Sequence, residues 1–189
     1  MERDHPASAV QEKLAQLTPS ERRVILRDVE PGMKRGRISV RTDAHTRMGA
    51  LYPFSLADKL AVITEHSPLF EPSAGGGPWG RATVPVEMVS VLLNHLASGD
   101  PWTIHGPTVD LFTDQEIAMV AGPVFVGEAY EIEREVVGLS GGRRTESLWI
   151  LTSLYRPGDQ EPIAVMLLST ASLKESYAFY DRDLALLAS

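Results

Sequence analysis

The chain contains no cysteine, which excludes disulfides, thiolate metal sites and cysteine nucleophiles. It is also short of positive charge. Eighteen lysines and arginines stand against 25 acidic residues, leaving a formal net charge of −7, so nucleic-acid binding through a broad basic face is not expected. No apolar run approaches the roughly 18 residues that a membrane span requires. The opening MERDHPASAV lacks the apolar core of a signal peptide, and a reducing cytoplasm is the expected compartment. The histidines at 5, 45, 95 and 105 fall at no metal-ligand spacing, and neither metal nor serine-hydrolase chemistry is expected. AGGGPWG, residues 74 to 80, lacks the Lys-Ser/Thr of a phosphate-binding loop, so no nucleotide cofactor is expected and the segment reads as a mouth or lid.

What is present is a chain of 189 residues, 43% hydrophobic, enough for one domain with a real core. Residues 10 to 28 read as a helical arm with a break and restart at Thr18-Pro19-Ser20-Glu21. KRGRISVRTD alternates, with Ile38 and Val40 on one face, as a half-buried strand does. Ser55 opens a helix expected to run to about His66, where Ser67-Pro68 stops it. The segment from Pro85 to Ser98 is apolar around most of its circumference, and such a helix is buried. Its exceptions, Glu87, Ser90 and Asn94, recur at helical spacing and share one stripe.

After Gly99 the pattern turns to strands. TVDLF is a short candidate. VFVGEAYEIEREVVG places Tyr130, Ile132 and Val136 on one face and Glu131, Glu133 and Glu135 on the other. RRTESLWILTSLYR and IAVMLLSTASL follow as long strands, and the last fifteen residues as a helix or tail. One strand, then helices, then long antiparallel strands implies an α+β architecture in which a curved sheet wraps one buried central helix. The edge of such a sheet suits pairing with a second copy, so a homodimer or higher assembly is expected.

Three landmarks give the chain a resemblance to the MaoC-like branch of the hot-dog superfamily across roughly residues 33 to 174. TEHSPLF resembles the family's G-D-x-N-P-x-H segment. PWGRATVPVEM resembles the loop entering the central helix. GPVFVGEAYEIEREV resembles the strand entry that follows. The resemblance implies a single hot-dog domain (31–175) with an N-terminal helical arm (1–30) and a terminal tail (176–189). It implies action on acyl thioesters, carried by coenzyme A or a carrier protein, by hydration or dehydration. In that pattern Glu65 takes the catalytic Asp position, while Phe70 takes that of the catalytic His and cannot move a proton. Pro85 falls where the family offers a backbone N–H to the thioester carbonyl, and has none to give.

The candidate catalytic residues are therefore Glu65, His66 and Glu87. Glu65 and His66 would act as an acid–base pair, or simply close a helix end. Glu87 would serve a thioesterase as base or nucleophile, with Ser90 and Asn94 positioning water, or would only complement the helix dipole. Phe70 and Trp79 would line an acyl site, and Arg81, Arg143 and Arg144 would hold the phosphates of coenzyme A. A thioesterase, or a non-catalytic module for an acyl or aromatic ligand, stands as the alternative to the hydro-lyase.

Overall fold

A computed structural model describes residues 8–19, 22–47, 52–64, 66–71, 77–94 and 101–187. The elements run α1 (Ala9–Ala15), β1 (Lys34–Arg41), α2 (Leu56–Val62), α3 (Val86–Leu93), β2 (Asp110–Met119), β3 (Ala129–Gly141), β4 (Thr145–Tyr155), β5 (Ala164–Leu173) and α4 (Tyr180–Leu186). The five strands form one curved antiparallel sheet in the order β1-β3-β4-β5-β2. The alternation read from β3 holds: Tyr130, Ile132 and Val136 are buried while Glu131, Glu133 and Glu135 are half-buried. No described helix is long and apolar enough to cross a membrane.

Two clusters of side chains hold the fold. In the first, Met88, Val89, Leu92 and Leu93 of α3 pack on Val40, Tyr130, Ile132, Leu154, Met166 and Leu168 of the sheet. Burying side chains of this size is worth roughly 1.5–3 kcal/mol each. The second cluster joins Val24, Ile25, Leu26 and Val29 to Trp102, Val136, Leu148, Tyr177 and Tyr180. At its centre Glu146, on β4, is completely buried. Its carboxylate accepts the N–H groups of Val24 (2.8 Å), Ile25 (3.0 Å) and Leu26 (3.0 Å) and the hydroxyl of Tyr180 (2.9 Å). Four donors converge on two oxygens, and a carboxylate has acceptor sites for all of them. Burial, and then the bond to Glu146, push the Tyr180 phenol well above its ordinary range.

The arm crosses the opposite face of the sheet. Lys13 pairs with Asp114 (2.6 Å), and the Ser8 hydroxyl donates to Glu116. Leu14 and Leu17 settle over Gly138, where a Cβ would lie 2.8 Å and 3.0 Å from their Cδ1 atoms, so the missing side chain admits the arm.

Several expectations are corrected. Among the described residues the arm is helical only over α1, and residues 25–28 form a turn because the backbone N–H groups beside them are committed to Glu146. Ser20 and Glu21 of the expected restart lie outside the described residues. Helix α2 stops at Val62 with Ile63 already extended, before Ser67-Pro68 is reached, in a run of β-branched residues that lose side-chain freedom in a helix. Helix α3 begins at Val86 and ends at Leu93 with Asn94 as its C-cap; residues 95–100 lie outside the described set. It is buried on one side only, since Val86 is 57% exposed and Ser90, Val91 and Asn94 are half-buried. Strand β2 runs well beyond TVDLF, because its polar half, TDQEIAM, is an edge with much of its surface in solvent, where apolar alternation is not required.

Replacing Glu146 with alanine would strand three backbone donors in the second cluster. We expect a loss of about 3 kcal/mol or more, read as a fall in Tm of roughly 10 °C for a chain of this size. A melting curve matching the wild type would contradict this role.

Candidate functional site

The entry to α3 is built by three segments far apart in sequence. Val84 N–H donates to Val124 O (2.7 Å) and Val126 N–H to Ala82 O (2.9 Å), fixing the helix entry beside the start of β3. Thr83 donates to Leu69 O from both its N–H (2.7 Å) and its hydroxyl (3.1 Å), bringing in the turn of residues 67–70. Helix α2 approaches from the other side, its start fixed by a reciprocal cap between Ser55 and Asp58. These bonds hold Asp58 below the usual carboxylate range.

Glu87, in the first turn of α3, meets groups from the α2 side. The Tyr52 hydroxyl donates to Glu87 Oε1 at 2.5 Å, and Lys59 Nζ lies 3.0 Å from the same oxygen. Lys59 also sits 5.2 Å and 5.0 Å from the ring centroids of Tyr52 and Phe54, which pack edge to face. The bonds from Tyr52 and Lys59 hold the Glu87 carboxyl below its ordinary range, against a smaller opposing effect of burial. The same contact raises the Lys59 ammonium, and burial chiefly raises the Tyr52 phenol. Glu87 is thus a persistent anion beside a persistent cation and a protonated phenol. One carboxylate oxygen is held twice; among the described residues Oε2 has no partner, and the side chain is 61% exposed.

The rest of the stripe is directed at the sheet. Gln115 of β2 donates to Ser90 Oγ (2.9 Å) and contacts Met166 Sδ (3.2 Å), and Asn94 reaches the same sulfur at 3.9 Å. Ser90 and Asn94 therefore share the stripe with Glu87 but are already partnered. His66 is 77% exposed, with Nδ1 3.2 Å from Glu71 Oε1, and no contact joins it to Glu87. Glu65 lies outside the described residues. Phe70 is half-buried in the turn tied to Thr83, and Trp79 is exposed in a short turn, Gly77–Trp79.

The three arginines do not form one group. Arg81 pairs with Glu128 and stacks 4.1 Å over Phe125, just before β3. Arg143 and Arg144 lie just past its other end, and thirteen extended residues span roughly 40 Å along the strand.

The sequence reading missed Tyr52, Lys59 and Gln115. Each comes from a different element from the residue it serves, and no spacing rule connects them. It also passed over Gly138-Leu139-Ser140-Gly141-Gly142, which spells Gly-x-Ser-x-Gly. That run lies along β3 into a hairpin, not at a strand-to-helix turn, so Ser140 has no nucleophile elbow.

This arrangement of sheet and central helix is the hot-dog fold. No protein-family model and no curated protein sequence matches the chain. Among solved structures, the ChsH1-ChsH2 complex from Mycobacterium tuberculosis is similar at 16% identity and TM-score 0.50, over 89% of this chain and 92% of that one. The (R)-hydratase from A. caviae involved in PHA biosynthesis aligns at 22% identity and TM-score 0.47, over 78% and 98%. The MaoC-like dehydratase from Rhodospirillum rubrum aligns at 13% identity and TM-score 0.48, over 79% and 96%. At 16% identity the likeness to the ChsH1-ChsH2 complex is one of fold alone.

Since the Tyr52 hydroxyl is the largest influence lowering Glu87, removing it in Tyr52→Phe should raise the Glu87 pKa towards its ordinary 4.5. A lowered carboxyl stabilises the fold above its unfolded pKa, and that contribution is lost as pH falls through the folded value. The variant should lose it at higher pH. An NMR titration of the Glu87 carboxyl carbon checks this, and an unchanged midpoint would refute the assignment.

Proposed function

We propose that the chain is a hot-dog acyl-thioester hydrolase in which Glu87 is the working carboxylate. The observation that supports this is the asymmetry of Glu87: Oε1 is anchored by Tyr52 and Lys59, while Oε2 has no partner among the described residues. A carboxylate fixed through one oxygen presents the other in a defined direction. There it can take a proton from a water molecule as that water attacks the thioester carbonyl. The resulting oxyanion would be met by the free N–H groups of the first turn of α3, beyond Pro85. Collapse of the tetrahedral adduct expels the thiolate, which takes up the proton held by Glu87. Trp79 and Val86, both exposed large apolar side chains, offer surface to the acyl chain.

Hydration of an enoyl thioester makes a different demand, a proton donor and acceptor placed along the α and β carbons. Phe70 supplies neither, His66 is turned to Glu71, and Glu65, the remaining candidate for that role, lies outside the described residues. Water attack on the carbonyl needs only one base, the role proposed for Glu87.

The same reading includes a homodimer formed along β2. This edge strand is ten residues long and exposes Leu111 and Phe112, with Val109 and Val120 flanking it. An exposed apolar edge is a template for a second strand. The open side of α3, carrying Val86, would then be covered by the partner. Phe112→Lys should shift the chain towards monomer in sedimentation velocity, and an unchanged distribution would remove β2 from the interface.

The test of function is release of free coenzyme A from a panel of saturated and 2-enoyl thioesters, followed by mass spectrometry. Glu87→Gln should lower kcat by about 100-fold or more with little change in Tm. Equal turnover in that variant would sink the role of Glu87. A hydrated product in place of free coenzyme A would replace hydrolysis with hydration, and no turnover with saturable ligand binding would make the protein a binding module.

A further inference from the structure

At the end of β3 remote from Glu87, β3 and β4 are joined by a tight hairpin whose tip is Arg143-Arg144. Gly142 N–H donates to Thr145 O across it at 2.9 Å. The end of β5 is fastened to this tip twice: Lys174 N–H donates to Arg144 O (3.0 Å), and Lys174 Nζ to Gly142 O (2.8 Å). The same ammonium lies 5.4 Å from the ring centroid of Tyr180. Tyr180 is itself fixed from below by Glu146, and Tyr177 by Asp183 at 2.8 Å. The outcome is a concavity of about 440 Å³ with a rigid aromatic floor and a cationic rim of Arg143, Arg144, Lys174 and Arg182, interrupted by Glu175 and Asp181.

The charge of this rim is unusual for the molecule. The chain as a whole is acidic, at −7, and Lys13, Lys34, Arg37, Arg41 and Arg81, among others, each sit against a carboxylate. Arg182 is likewise paired, with Asp183 at 2.8 Å. Arg143, Arg144 and Lys174, by contrast, have no carboxylate partner among the described residues. Lys174 is held by a carbonyl, which orients its charge without neutralising it. Adjacent like charges at a hairpin tip repel, and a multiply charged anion between them and Lys174 would relieve the repulsion. Guanidinium forks suit phosphate oxygens, and the volume is that of a small-molecule cleft. An extended acidic partner would bind a protruding surface more readily than a hollow.

We infer that this concavity is a binding site for a small molecule bearing two or more phosphate charges, of the pyrophosphate type, gripped by Arg143, Arg144 and Lys174. It is separate from the Glu87 site and does not depend on the hydrolase reading.

Isothermal titration with pyrophosphate and with ADP, at constant ionic strength, tests it on the full chain. One saturable site per chain is expected, weakening as salt is added. Arg143→Ala/Arg144→Ala should weaken binding about tenfold or more with the melting temperature unchanged, since neither side chain supports the fold. Lys174→Gln provides an independent second variant with the same expected direction. The proposal is overturned if wild-type protein gives no saturable signal, or if both variants bind as tightly as wild type. Binding to anionic lipid vesicles or to polyglutamate without binding to pyrophosphate would also overturn it.

Discussion

The packing of α3 into the curve of the sheet is the constraint on which everything else in this molecule depends. Four large apolar side chains on one side of a two-turn helix are buried against strands drawn from most of the sheet. That fixes the rotation of the helix about its axis. Once the rotation is set, Glu87 is left on the open side, while Ser90 and Asn94 turn to Gln115 and Met166 at the sheet. A charged group in the first turn is tolerable there because it is only partly desolvated and is met by a cation and a phenol. The position of Glu87 is thus a consequence of which face the core has claimed.

The second cluster solves a different problem. An N-terminal segment rich in buried aliphatics but without regular structure leaves backbone donors in an apolar setting, where each unpaired group is costly. Glu146 answers three of them at once and, through Tyr180, ties the same point to α4. One side chain on a central strand thereby connects the chain's beginning to its end. The rigid floor of the cationic hollow beyond the β3–β4 hairpin is a by-product of that connection.

The long strands were legible because periodicity is a local property. Tyr130, Ile132 and Val136 alternate with glutamates, and the sheet simply realises that alternation. The stripe on α3 was legible for the same reason. What escaped the sequence depended on partners from elsewhere. Nothing near Glu146 indicates that its carboxylate caps residues more than a hundred positions earlier, and RRTESLWILTSLYR reads as an ordinary strand. Tyr52 and Lys59 meet Glu87 only because α2 and α3 share the core through Leu56 and Leu60. The polar half of β2 was missed because an edge strand need not alternate. His66 was drawn into the candidate set by its place in a motif, and the fold gives it to Glu71 at the surface.

The central claim is that the open first turn of α3, around Glu87, is where an acyl thioester binds. It is tested most directly by a crystal structure with a thioether analogue of an acyl-coenzyme A, in which the carbonyl is retained and the scissile bond cannot be hydrolysed. The account requires the analogue's carbonyl carbon to lie beside the first turn of α3, within reach of a water molecule held by Glu87 Oε2, with the acyl chain running past Val86. A well-ordered analogue bound elsewhere, with the first turn of α3 still facing solvent, would contradict it.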